Sequence, residues 1–115
     1  MANKNSKTER GRGQLRPKKG YIYCLYKIGL CESYIGSTFR LSDRKSEHRS
    51  RCNDIGCKEF VFPVYSFIRC NGGFNEWEFR VIETGMFNST KELKSRERHY
   101  QDIYWDNLLN TIRAR

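Results

Sequence analysis

Apolar and polar residues alternate along this chain in two distinct rhythms. Tyr21-Ile22-Tyr23-Cys24-Leu25-Tyr26 is a run of aromatic and aliphatic residues suited to a strand. A polar, glycine-containing stretch from Lys27 to Ser33 follows. Tyr34-Ile35-Gly36 then predicts a second short strand, and the two form a hairpin with a long loop. Leu41 to Ser50 holds no Gly or Pro and many charges, which predicts an exposed helix. Arg44 and His48, four residues apart, project from one face of it. After a turn-like break from Asn53 to Lys58, the residues Phe60, Val61, Val64, Tyr65, Phe67 and Ile68 recur at helical spacing. Pro63 is tolerated only in a first turn, so this helix is expected to start near Phe60, and Asn71-Gly72-Gly73 ends it. Trp77, Phe79 and Val81 alternate with Glu78 and Arg80, as a half-exposed third strand would. Ser89 and Glu92 form a capping box that opens a helix to about Tyr104, with Leu93, Glu97, Tyr100 and Tyr104 on one face. The predicted architecture is α+β, a three-stranded antiparallel sheet packed with about three helices, without internal repeats.

Length and composition narrow this picture. A chain of 115 residues, 37% hydrophobic and 14% aromatic, closes one small core and is too short for two. No apolar stretch approaches the ~18 residues that span a bilayer, and the basic N-terminus lacks the apolar run of a signal peptide. An intracellular, soluble protein is expected. The net charge of +9 points to a polyanionic partner. It is concentrated in residues 1–19, where Lys4, Lys7, Arg10, Arg12, Arg16, Lys18 and Lys19 face only Glu9. That segment reads as a disordered basic arm, with the folded domain covering residues 20–115. Such an arm serves either as a solvated solubility tail or as a contact to phosphates that makes affinity strongly salt-dependent. Five cysteines, an odd number with no Cys-x-x-Cys spacing, argue against disulfides and a zinc site and for free thiols.

Motif order carries the reading further than periodicity does. Gly20-Tyr21-Ile22-Tyr23 is followed after ten residues by Tyr34-Ile35-Gly36-Ser37-Thr38. Arg44-x-x-x-His48 lies ten residues after Tyr34, Glu97 stands in Ser95-Arg96-Glu97-Arg98-His99-Tyr100, and Leu109-Asn110 closes the series. In this order and spacing the chain resembles the GIY-YIG endonucleases from residue 20 to residue 110. The first motif reads Tyr-Ile-Tyr instead of Gly-Ile-Tyr, but it keeps the tyrosine that carries the chemistry.

The resemblance implies a divalent-metal-dependent DNA endonuclease with catalytic residues Tyr23, Tyr34, Arg44, His48, Glu97 and Asn110. Glu97 would hold Mg²⁺ or Mn²⁺, whose octahedral shell waters and the DNA phosphate would complete. Tyr23 would position or deprotonate the attacking water, with Tyr34 sharing or orienting. A free phenol, with a pKa of about 10, needs nearby cations for that task. Arg44 would grip the scissile phosphate, and His48 would hydrogen-bond a tyrosine hydroxyl or relay its proton. Gly36 would allow close backbone approach, and Asn110 would pin the last segment near the site. Lys18, Lys19, Arg44 and Lys58 are the expected DNA contacts. Taken singly, each residue has a plainer explanation: a sheet tyrosine, a polar helix face, or a solvated glutamate paired with Lys94 or Arg98.

Two other functions fit part of the pattern. A catalytically silent nucleic-acid-binding module on the same fold explains the charge and the arm. A small RNA-associated structural protein explains the charge but leaves the motif spacing as coincidence. Because the domain takes up nearly the whole chain, weak sequence specificity is expected of a monomer. A second copy of the chain, a partner protein or recognition of DNA shape would supply the rest.

Overall fold

The computed structural model describes residues 16–110. The greater part of the expected basic arm, residues 1–15, lies outside the described residues, as do residues 111–115. The chain forms a three-stranded antiparallel sheet and three α-helices, the α+β arrangement anticipated from its periodicity. In order these are β1 (Lys18–Tyr26), β2 (Ser33–Thr38), α1 (Leu41–Asn53), α2 (Pro63–Cys70), β3 (Glu78–Phe87) and α3 (Thr90–Ile103). Among the described residues no helix is long and apolar enough to cross a membrane.

The sheet order is β2-β1-β3, with β1 in the middle. Side chains alternate across β1, so Tyr23 and Leu25 face one way and Ile22 and Cys24 the other. The first face packs beneath α1 and α2, where Leu25 joins Cys52, Val64, Tyr65, Ile68, Phe74, Trp77 and Leu109. The second packs beneath α3, where Ile22 joins Ile35, Phe87, Leu93 and Leu108. The domain is thus a sheet clothed on both faces, and the central strand is buried on both.

Three boundaries differ from the expectation. Lys18 and Lys19 are not part of an arm: they open β1, opposite Phe87 and Met86 of β3. Two further ladder pairs extend the strand beyond its aromatic run, and their charged side chains stay exposed. The second helix starts at Pro63 in its N1 position and not near Phe60. Lys58–Val61 is instead a separate 3₁₀ turn, with Val61 76% exposed. Proline's fixed φ and missing N–H suit it to the first helical position, which explains the later start. The third strand runs to Phe87, well past Val81, because a bulge resets its register. Tyr23 pairs with Val81 but Ile22 pairs with Glu83, leaving Ile82 as the extra residue. A bulge swaps the faces of everything beyond it. Phe79 therefore stacks on Tyr23 on the first face, while Glu83 and Phe87 turn towards α3.

The capping box forms, with a shift. The Ser89 hydroxyl accepts from Glu92 N at 3.1 Å, and Glu92 reaches back to Asn88 N at 2.8 Å. It fixes where α3 begins and hence which residues of α3 face the sheet. All five cysteines are free thiols.

Candidate active site

Tyr23 comes from the middle of β1 and is completely buried. Its hydroxyl lies 2.6 Å from His48 Nε2 on α1. The ring stacks on Phe79 at a centroid distance of 4.6 Å, and Gly36 opposite it on β2 makes room for the phenol. A Cβ built at Gly36 would sit 2.6 Å from Tyr23 Cζ, which no side chain could occupy. This is the steric requirement behind that glycine. His48, 1% exposed, is edge-on to both Tyr23 and Tyr34, and its Nδ1 lies 2.8 Å from the Tyr65 hydroxyl. Tyr34 is half-buried, so of the two motif tyrosines it is the one with access to solvent.

Burial is the largest influence on Tyr23 and pushes its hydroxyl pKa well above the ordinary phenol value. The nearby Tyr34 adds to this, while the hydrogen bond and charge of the Arg44 guanidinium pull the other way without overcoming it. Tyr23 is therefore a neutral phenol in this state and not a standing phenolate. Burial also acts to lower the Arg44 pKa, but its bonds to Tyr23 and Glu47 outweigh that and hold it above the usual arginine value. Arg44 stays charged.

Glu97 approaches from the opposite face of the sheet. Its Oε1 accepts from the Ser37 hydroxyl at 2.5 Å and from Lys94 Nζ at 3.3 Å, and its Oε2 accepts from Gln101 Nε2 at 2.9 Å. Ser37 joins the two halves of the site. Its side chain holds Glu97, while its carbonyl accepts from Arg44 Nη1 at 3.1 Å. It can do so because β2 is an edge strand, with its outer side open to both α1 and α3. A cleft of about 250 Å³ lies here, lined by Ser37, Phe39, Arg40, Arg44 and Lys94 among others.

Asn110 sits at the same edge. Its amide donates to Ile35 O at 2.9 Å and its carbonyl accepts from Ile35 N at 3.0 Å, so it pairs with β2 as a strand residue would. Its side chain is committed to the backbone of β2, which positions the strand bearing Ser37. Of the expected DNA contacts, Arg44 lines the cleft. Lys18 lies with its Nζ 5.1 Å over Phe39, which also lines it. Lys19 lies over Tyr21. Lys58 is exposed in the 3₁₀ turn and, among the described residues, shares no hydrogen bond or ion pair with the cluster.

Three contributors escape the sequence reading. Ser37 stands within the quoted motif, and period-two alternation puts it on the face opposite Gly36, where α3 lies. Gln101 is four residues after Glu97, one helical turn away, and that spacing is a usable signal. Tyr65 is read from sequence as one more apolar position on a buried helix face, and nothing marks its hydroxyl for a partner.

Glu97 and the Ser37 hydroxyl are hard oxygen donors. A single carboxylate suits an ion such as Mg²⁺, which keeps much of its hydration shell. Among the described residues no three His, Cys, Asp or Glu side chains converge to hold a metal without such help. No family model, curated protein or solved structure matches the chain.

Proposed function

We propose that this chain is a divalent-metal-dependent endodeoxyribonuclease built on a GIY-YIG-type domain. One observation carries the reading. Tyr23, Tyr34, Arg44, His48 and Glu97, the residues the family resemblance implies, stand on four separate elements around β2, with Arg44 and Glu97 held by the two ends of Ser37. They lie on both faces of the sheet, and Ser37 of the edge strand β2 links the two groups through its carbonyl and its hydroxyl.

The chemistry follows from what each group can do. DNA would enter the cleft with a phosphate on Arg44, whose planar guanidinium stays charged and can give two parallel bonds. Glu97, oriented by Ser37 and Gln101, would hold Mg²⁺ or Mn²⁺, which supplies charge neutralisation and polarisation at the phosphate. Lys94, paired with Glu97 and 56% exposed, would be available to the phosphate backbone. The attacking water forms the new oxygen–phosphorus bond as the bond from phosphorus to the 3′ oxygen breaks. Its proton passes to the Tyr23 oxygen while the Tyr23 proton moves to His48 Nε2. A phenol with a raised pKa suits this exchange because it never has to exist as an anion. The departing 3′ oxygen takes its proton from solvent in the open cleft.

A second reading, a module that holds nucleic acid without cutting it, is favoured by one feature: the Tyr23 hydroxyl is fully covered in the free protein. Cleavage therefore requires DNA binding to admit a water beside it. Supercoiled plasmid incubated with Mg²⁺, with Mn²⁺ and with chelator separates the two. Metal-dependent nicking that disappears in Glu97→Ala is the expected result. Tight, salt-sensitive binding with no nicking in either metal would favour the module.

A further inference from the structure

The mechanism above uses Nε2 of His48 and leaves its other nitrogen unassigned. That nitrogen meets Tyr65 of α2, which is 2% exposed and contributes its hydroxyl at 2.8 Å. Tyr23, His48 and Tyr65 thus form a continuous hydrogen-bonded row through the interior, 0%, 1% and 2% exposed respectively. An arginine stands near each end, Arg44 acting on the Tyr23 hydroxyl and Arg51 on the Tyr65 hydroxyl.

A neutral imidazole carries one N–H, so one of its nitrogens donates and the other accepts. The two contacts differ in length. Hydroxyl donors reach acceptors at about 2.5–3.0 Å, whereas N–H donors prefer about 2.7–3.2 Å. The 2.6 Å contact at Nε2 is short for an N–H donor and fits the Tyr23 O–H, while the 2.8 Å contact at Nδ1 fits an N–H given to Tyr65. Both arginines can only donate, so neither changes this order.

We infer that Tyr65 is a positioning residue: by accepting the Nδ1–H of His48 it holds the imidazole in the tautomer whose bare Nε2 faces Tyr23. The opposite tautomer would present an N–H to the Tyr23 oxygen, and the phenol proton would have no acceptor there. The orienting group in a serine-protease triad acts in the same sense, although there it is a carboxylate. A phenol oxygen carries no full negative charge, so it fixes the tautomer while stabilising an imidazolium less. His48 is thereby suited to pass a proton on and not to keep it. The catalytic consequence rests on the proposed nuclease reading; the direction of the hydrogen bonds does not.

The test exploits the presence of only two histidines, His48 and the exposed His99. Long-range proton–nitrogen correlation spectra of ¹⁵N-labelled protein at pH about 8, where an ordinary imidazole is neutral, distinguish the protonated from the bare ring nitrogen. The expected wild-type result is a buried histidine with Nδ1 protonated and Nε2 bare. Tyr65→Phe should move that histidine towards the Nε2–H form and leave the His99 signals unchanged. A wild-type His48 carrying its proton on Nε2 overturns the inference. So does a Tyr65→Phe spectrum identical to wild type. The wild-type spectrum decides the bond direction by itself, so the test survives if the variant fails to fold. In plasmid nicking, Tyr65→Phe should cut about tenfold more slowly with DNA affinity unchanged, less than the roughly 10²–10⁴-fold of a direct acid–base group because Tyr65 acts through His48. Absence of nicking by the wild type would defeat the nuclease reading and leave the tautomer result standing.

Discussion

The two faces of the sheet carry the two halves of the candidate site, and they are built differently. Beneath α1 and α2 the polar groups are sealed: Tyr23, His48 and Tyr65 are satisfied by one another in an apolar setting. Beneath α3 the group reaches the surface: Glu97, its side chain 15% exposed, is bonded to Ser37 and Gln101 and to Lys94, whose side chain is 56% exposed. A sealed row of hydrogen bonds suits proton transfer, because desolvation fixes where each proton sits and penalises any ionised intermediate. A carboxylate near the surface suits a hydrated cation, which must enter with its water. Folding stability and chemistry are therefore coupled in the first half and largely separate in the second.

That difference can be broken in three ways. The largest effect is expected from comparing Glu97→Ala with Tyr23→Phe. Glu97→Ala should reduce metal-dependent nicking to background while costing about 1 kcal/mol of stability, the low end for a lost bond to a buried hydroxyl, because the Lys94 side of the group is exposed. Tyr23→Phe should lower cutting about a hundredfold with DNA affinity unchanged. It should also cost about 1–3 kcal/mol in urea denaturation, because it strands a buried imidazole nitrogen. Equal stability of the two variants would remove the distinction between the halves.

Next in size is Gly36→Ala. The added methyl meets the Tyr23 ring and hydroxyl, and overpacking of this kind costs about 1–3 kcal/mol. The variant should lose cutting as well, since Tyr23 must shift away from His48. A Gly36→Ala protein with wild-type denaturation and activity would mean that the close approach of Tyr23 to β2 is dispensable.

The smallest effects lie in the pH dependence of stability. The hydrogen bond from Arg96, followed by that from Tyr100, holds Glu83 below the ordinary carboxylate value. A depressed carboxylate contributes stability above its unfolded pKa of about 4.3, and that stability is lost as pH falls through the folded value. Its side chain is 26% exposed, so a loss well under 1 kcal/mol is expected, and Glu83→Gln should flatten the acid limb of a urea-midpoint profile. Tyr23 works in the opposite sense. Its raised pKa leaves stability intact below about pH 10 and withdraws it as pH rises further. The alkaline limb thus reports on the sealed half, the acid limb on the α3 face.

Local pattern was enough for the element types, while the candidate site residues came from the order of motifs and the family the chain resembles. Aromatic and β-branched runs specified the strands, charge without Gly or Pro specified α1, and Ser89 with Glu92 specified the start of α3. Each of these signals is held within a few consecutive residues. The four-residue step from Arg44 to His48 put both on one face of α1, because a helix turn is a local geometric fact. What the sequence could not reveal depended on partners distant along the chain. The bulge at Ile82 exists because β3 must present Phe79 to Tyr23 and Phe87 to α3, two demands from opposite faces. Ser37 became the bridge between Arg44 and Glu97 only because β2 lies at an open edge between two helices. Tyr65 changed from core filler to hydrogen-bond partner only because α2 packs its hydroxyl against His48, 17 residues away. A residue's type and rhythm determine which face it takes; which groups it meets there is decided when the layers close.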